Sequence, residues 1–159
     1  MAHFDRIDAK ILDLLQDDGA ITNIDLAERI GLTPAPTLER VRKLEREGYI
    51  RGYVALVDQA KIGRPVTAFV SVIMRSPGQR SSEAFGRAVA KLPEVLECHH
   101  IAGEEDFLLK VVAASPLDYE RFVLGRLTKI AGIEKVKTTF VLSSPKLGTK
   151  IPVDRAGDV

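Results

Sequence analysis

One cysteine, Cys98, is all the thiol chemistry this chain has, which excludes an intramolecular disulfide framework and fits a reducing compartment. No apolar run approaches the roughly 18 residues that a membrane-spanning helix needs. The opening Met1-Ala-His-Phe-Asp-Arg leads straight into an amphipathic pattern and has no signal-peptide core. A soluble cytoplasmic protein without membrane contact is the expectation. Excess charge of one sign is missing too, since the net charge is +1. Any affinity for a polyanion must therefore come from local patches. In Met1–Tyr53 eight basic residues face ten acidic ones, so even this stretch is not basic overall. No nucleophile stands beside a partnered base, so no catalytic residue is assigned and an enzyme is not expected. What is present is a hydrophobic fraction of 45% in 159 residues, enough for one large or two small buried cores.

From Asp5 the apolar residues Ile7, Ile11, Leu14 and Leu15 recur at helical spacing, and Asp17-Asp18-Gly19 supplies a stop. Thr22 or Asn23 can cap a second helix carrying Leu26, Ala27 and Ile30 on one face, with Gly31 at its end. Thr33 caps and Pro34 opens a third helix running to Glu47, and Gly48 suits its left-handed termination. At about 100° per residue, Leu38, Val41 and Leu44 form the apolar stripe of that helix. Ala35, Pro36, Glu39, Arg42, Lys43 and Arg46 fall opposite, and Arg40 lies on the flank. A charged face of this kind can be no more than a solvated surface. Only Gly31 and Leu32, however, separate the second and third helices, which is the spacing of a helix-turn-helix.

In such motifs the second helix of the pair enters the major groove of double-stranded DNA, its N-terminal residues nearest the base edges. Ala35, Pro36 and Thr37 are the candidates there. Arg40, Arg42, Lys43 and Arg46 would be shared between bases and phosphates, because arginine pairs bidentately with guanine and both cations neutralise phosphate. Tyr49–Val57 is rich in β-branched and aromatic residues and reads as one or two wing strands, placing Arg51 beside a phosphate.

The second half changes in composition. Asp58–Pro65 is a linker or boundary, and Val66–Met74 is an apolar run of strand length. A helix capped by Ser81 or Ser82 runs to Leu92 and is followed by strands over Val95–Ala102 and Phe107–Ala113, joined by the turn Gly103-Glu104-Glu105-Asp106. Ser115-Pro116-Leu117-Asp118 opens a helix through Leu127, and Ile133–Leu142 is a last strand. The expected fold class is α+β, an N-terminal winged helix-turn-helix joined to a ferredoxin-like βαββαβ domain. The divisions are 1–53 for the DNA-binding domain, 54–64 for strand and linker, 65–144 for the βαββαβ domain, and 145–159 for an irregular tail. Neither side of the last strand is fully polar, with Val136, Thr138, Phe140 and Leu142 on one side and Lys135, Lys137, Thr139 and Val141 on the other. A homodimer through that sheet is expected. Cys98 and His100 share one side of their strand and His99 takes the other. This disfavours a three-ligand metal site and leaves a buried thiol with hydrogen-bonded histidines as the plain reading.

The sequence resembles the Lrp/AsnC family of feast/famine transcriptional regulators over nearly its whole length. The resemblance rests on Asp5-Arg6-Ile7-Asp8, Gly31–Arg42, Leu44–Ile50, Glu97-Cys98-His99 and Gly103–Lys110. It implies a DNA-binding helix-turn-helix and a βαββαβ domain that binds a free amino acid and drives assembly, often from dimers to octamers. It also gives the acidic turn a role that the residues alone leave open, since Gly103–Asp106 is otherwise a solvated hairpin loop. Gly103, Glu104, Glu105 and Asp106 become effector candidates, with Asp106 or Glu104 accepting from an α-ammonium and amides near Gly103 approaching a carboxylate. Thr138 and Thr139 are further candidates. Glu105 stands where the family often has an aromatic residue. An amino-acid effector is expected, with no cofactor and no metal. The alternative implied by the same two-domain plan is a tetrapyrrole (sirohaem-type) decarboxylase.

Overall fold

The computed structural model describes residues 5–76 and 78–153. The chain divides into two compact units, the first made of residues up to Leu56 together with those from Lys146 onward, the second of Val57–Pro145.

The first unit holds three helices, α1 (Arg6–Asp17), α2 (Asn23–Ile30) and α3 (Pro34–Arg46). Asp5 caps α1 by accepting from the amides of Ile7 and Asp8, and Asp8 returns the bond to the Asp5 amide. This reciprocal capping fixes where α1 starts. Thr22, not Asn23, caps α2 by accepting from the Asp25 amide. Gly31, at φ +79°, ends α2 in the left-handed region that glycine enters without a Cβ clash. Ile11, Leu26, Ile30 and Leu44 make the buried centre where the three helices meet, with Ile7, Leu14, Val41 and Ile50 packed around it.

The stop of α1 is set by Asp18 as C-cap. The helix ends at Asp17, where Asp17-Asp18-Gly19 is expected to stop it, and Gly19 has no positive φ. After α3, the run expected as wing strands carries no strand. Residues 51–58 are exposed and without regular structure, and no described residue pairs with them in a ladder. High β-propensity supplies no hydrogen-bonding partner, and a strand without one stays irregular.

The second unit contains β1 (Val66–Met74), α4 (Gln79–Val89), β2 (Val95–His100), β3 (Phe107–Ala113), α5 (Pro116–Gly125), a 3-10 turn at Leu127–Lys129 and β4 (Ile133–Phe140). The sheet order is β2-β3-β1-β4 with every pairing antiparallel. Its core joins Val70, Val72, Leu109 and Val111 from the inner strands to Phe85 and Val89 of α4 and Phe122 of α5. Helix α4 starts two residues before Ser81. Its N-cap is Gly78, and the Ser81 hydroxyl donates back to the carbonyls of Gly78 and Ser76. Helix α5 follows the expected cap, the Asp118 amide donating to Ser115 Oγ, but ends at Gly125, before the 3-10 turn that begins at Leu127.

The faces of β4 are resolved by its neighbours. Val136 packs on the core, Thr138 shares a hydrogen bond with the Tyr119 hydroxyl, and Phe140 meets the Tyr119 ring edge-on at 5.0 Å. That side therefore lies under the helices. Lys135, Lys137 and Thr139 belong to the other face, beside Ile73, Ser71 and Phe69 of β1. Cys98 is exposed, because β2 is a sheet edge, which corrects the expectation of a buried thiol. His100 stacks on Phe107 at 4.9 Å, and His99 lies 3.2 Å from Glu97.

Candidate nucleic-acid interface and acidic turn

Helix α3 is set against α2 by three local devices. The amides of Gly31 and Leu32 both donate to the Ala27 carbonyl, closing the turn. Asn23 Nδ2 donates to the Pro34 carbonyl at 2.8 Å, tying the start of α2 to the start of α3. Thr37 Oγ1 donates to the Thr33 carbonyl at 2.9 Å. This last bond satisfies a hydroxyl that is fully buried. Thr37 thus faces the core and is not among the residues exposed for a base edge. The inward stripe is Thr37, Arg40, Val41 and Leu44, at spacings of three and four, and Leu38 turns partly outward at 37% exposure. A small polar residue that bonds its own helix fits inside more easily than hydropathy suggests.

Arg40 also departs from the expected face. Its Nη1 lies 2.7 Å from both Asp5 Oδ2 and Asp8 Oδ1 at the start of α1. Asp8 is buried, with 1% of its side chain exposed, and its other oxygen lies 3.8 Å from Lys43 Nζ. The two carboxylates raise the Arg40 pKa further. Burial works against ionised Asp5, yet the Asp8 amide, the Arg40 guanidinium and the Ile7 amide bond to it and hold its pKa below the usual carboxylate value. Arg40 and, more loosely, Lys43 are therefore engaged in fastening α3 to α1. From the sequence Asp5 marks only the start of α1; the Asp5–Asp8 spacing of three is the signal that points to the cap, and nothing local points to Arg40.

Of the face expected to meet DNA, Ala35, Pro36, Glu39, Arg42 and Arg46 are exposed, as are Pro34, Leu38 and Glu45 elsewhere on α3. Arg42 sits 3.7 Å from Glu39 as an exposed pair worth little against a phosphate, and Arg46 has no side-chain partner among the described residues. Arg51 follows in the segment after α3, also exposed and unpaired among the described residues. Tyr53 anchors that segment by donating to Glu45 Oε1 at 3.0 Å. Burial, together with the adjacent Glu45 carboxylate, pushes the Tyr53 hydroxyl up to about 12.

In the second unit the acidic turn is built around Asp106. Its Oδ2 accepts from the Met74 amide at 2.7 Å, its own amide donates to the Val72 carbonyl, and its carbonyl accepts from the Ile101 amide. Asp106 is therefore a clasp between the turn and the end of β1. Glu105 points toward Lys137 at 3.9 Å. Gly103 and Glu104 are exposed, and the Glu104 carboxylate and both of their amides have no partner among the described residues. Thr138 and Thr139 fall on opposite faces of the sheet. Thr138 is taken by Tyr119, so the two do not line one pocket within this chain. No group of three or more His, Cys, Asp or Glu residues able to hold a metal ion occurs among the described residues. No helix among them is long and apolar enough to cross a membrane.

Comparison with known proteins covers both units. The family model described as the Lrp/AsnC ligand binding domain matches residues 67–151, and that described as winged helix-turn-helix DNA-binding matches residues 4–51. The chain is 38% identical over 153 residues to a Bkd operon transcriptional regulator of Pseudomonas aeruginosa, covering 96% of this chain and 100% of that protein. It is 37% identical over 149 residues to the leucine-responsive regulatory protein of Escherichia coli, covering 94% and 91%. A transcriptional regulator from Neisseria meningitidis, solved as its L-Met complex, superposes with a TM-score of 0.91 at 36% identity over 95% of this chain and 97% of that one. These comparisons give no support to the decarboxylase alternative.

Proposed function

The chain belongs to the Lrp/AsnC family of transcriptional regulators, and from that premise we propose how its own residues divide the work. Ala35 and Pro36 approach base edges, Arg42 reads a base or a phosphate, and Arg46 and Arg51 neutralise phosphates. Lys43 joins them when DNA draws it away from Asp8. Residues 1–53 form the DNA-binding domain, 54–64 the linker, 65–144 the effector-binding and oligomerisation domain, and 145–159 the tail. The observation that carries this reading is the exposed, weakly paired cation face of α3 on a helix locked in place through its opposite side.

The effector is a free amino acid. Glu104 accepts from its α-ammonium and the Gly103 and Glu104 amides approach its carboxylate, while Asp106 keeps the turn in shape. This turn is open in a single chain, so a second copy is needed to enclose the ligand, and the open sheet face bearing Phe69 and Ile73 is the surface through which copies pair. Dimers then assemble further, to octamers, in the cytoplasm. The protein acts by binding, without a catalytic step.

The test is fluorescence anisotropy on labelled DNA from the protein's own upstream region, with and without each amino acid, together with sedimentation analysis. Salt-dependent binding whose affinity or stoichiometry shifts with one amino acid is the expected result. Binding that ignores salt and survives substitution of both Arg42 and Arg46 would reject the assigned face.

A further inference from the structure

At the end of the sheet away from the acidic turn, the second unit holds a cavity of about 290 Å³. Strand β3 runs from Phe107, beside that turn, to Ala113, which lines the cavity, so about 20 Å of strand separates the two. Three stretches of chain supply the walls. On α5, Asp118, Arg121 and Phe122 follow at helical spacings of three and four. Arg126 lies just past the helix end, its amide still donating to the Phe122 carbonyl. Glu94 is tied to the end of β3, its carbonyl accepting from the Val112 amide at 2.9 Å. Arg64 stands two residues before β1. Its amide donates to the Gln59 carbonyl at 2.9 Å, and its carbonyl accepts from Gln59 Nε2, which also donates to Thr67 Oγ1. The stretch expected as a plain linker thus ends in a clamped turn that sets Arg64 at the cavity, and a spacer requires no such bonds.

The charges around this cavity are unequally engaged. Glu94 receives Arg126 Nη1 on both of its oxygens, at 2.5 and 2.8 Å. Arg121 lies 3.5 Å from Asp118 with 70% of its side chain exposed, a loose pair that water competes for. Arg64 is exposed, and its guanidinium has no partner among the described residues. Three guanidinium groups against two carboxylates leave one positive charge, and Arg64 and Arg121 can turn to a ligand. The floor is apolar, made by the buried Ala113 and Phe122. We propose that this cavity is a second ligand site, for a small aliphatic monocarboxylic acid that carries no amino group. Arg64 and Arg121 hold the carboxylate, and the floor takes the carbon chain. An ammonium group would bring a further positive charge into a cavity that is already positive, and inorganic phosphate would leave the apolar floor unused. The volume is at the small end for ligand sites and suits one such molecule. This site does not depend on which ligand the acidic turn takes.

The experiment uses the full chain with labelled alanine methyls, observed by NMR, and calorimetry. The Ala113 methyl marks the cavity, and the Ala102 methyl, next to Gly103, marks the acidic turn. Pentanoate should shift the Ala113 methyl and leave Ala102 in place. Norvaline, the same skeleton with an amino group, and inorganic phosphate should each bind at Ala113 at least about tenfold more weakly. Arg64→Gln and Arg121→Gln should each weaken pentanoate about tenfold in calorimetry, and Asp118→Asn should tighten it. All three side chains reach solvent, and helical circular dichroism confirms that each variant is folded. The site is overturned by an Ala113 methyl that pentanoate does not move, or by an unchanged affinity in either arginine variant. Phosphate or norvaline binding there as tightly as pentanoate overturns the ligand class, and an affinity that does not rise in Asp118→Asn overturns the charge balance. A norvaline shift confined to Ala102 bears on the proposed function alone, so the two sites succeed or fail separately.

Discussion

Replacing Arg40 by alanine should destabilise the helix-turn-helix unit more than replacing Asp8 by asparagine, although each change removes one member of the same ion pair. The asymmetry follows from burial. Asp8 has 1% of its side chain exposed, whereas Arg40 has 31% and Lys43 has 40%. Arg40→Ala leaves a buried carboxylate with only the Asp5 amide at 3.3 Å and the more distant Lys43, and stranding a buried charge costs about 3 kcal/mol or more. Asp8→Asn offers one oxygen where the carboxylate served both Arg40 and the Asp5 amide, so the charge-assisted part of the Arg40 bond and the capping bond are lost, about 2 kcal/mol, while the guanidinium can resolvate. The difference of about 1 kcal/mol corresponds to roughly fivefold in the population of the locally opened unit. Hydrogen exchange of the core amides of α1, α2 and α3 measures this directly. Equal protection losses, or a larger loss for Asp8→Asn, would refute the claim that the buried carboxylate controls the clamp.

The same geometry predicts that Arg42→Ala and Arg46→Ala each lower the salt slope of DNA binding by about 1, whereas Arg40→Ala, in conditions where it stays folded, leaves the slope unchanged, as titrations from low to high salt will measure. Asp106→Ala should cost about 1–3 kcal/mol by removing the acceptor for the Met74 amide, seen in urea unfolding. Glu104→Gln should leave that stability alone and weaken amino-acid binding in calorimetry. Acid should destabilise both units. Asp5 and Glu97 have folded pKa values below their ordinary ones, Asp5 by its hydrogen bonds against burial and Glu97 chiefly through Lys110. The stability they contribute is present above the unfolded carboxylate value and lost as pH falls through the folded one. Denaturation midpoints should therefore drop below about pH 4, and Arg40→Ala should flatten the Asp5 share of that fall.

Local chemistry made much of this fold readable. Thr22, Gly31, Pro34 and Ser115 each act within a few residues of the chain, so the helix starts and the tight turn between α2 and α3 follow from residue type. Strand periods exposed the βαββαβ order in the same way. Misplacements arose where the deciding partner is distant in sequence. Thr37 is polar by type but buried because its hydroxyl is satisfied by Thr33. Arg40 looks like a flank cation until Asp5 and Asp8 approach it from another helix. Residues 51–58 have strand propensity without an edge to pair with, and Thr138 and Thr139, adjacent in sequence, are separated by a sheet.

The sequence by itself determined which segments are helices and, residues 51–58 apart, which are strands, the two-residue turn between α2 and α3, and the family to which the chain belongs. Those properties depend on dihedral preferences and periodicity, which neighbours along the chain decide. Tertiary structure alone decided which cations of α3 stay exposed and which acid of the 103–106 turn is spent on holding β1. A charge is free or engaged according to what lies within hydrogen-bonding distance, and that is a property of packing between distant segments.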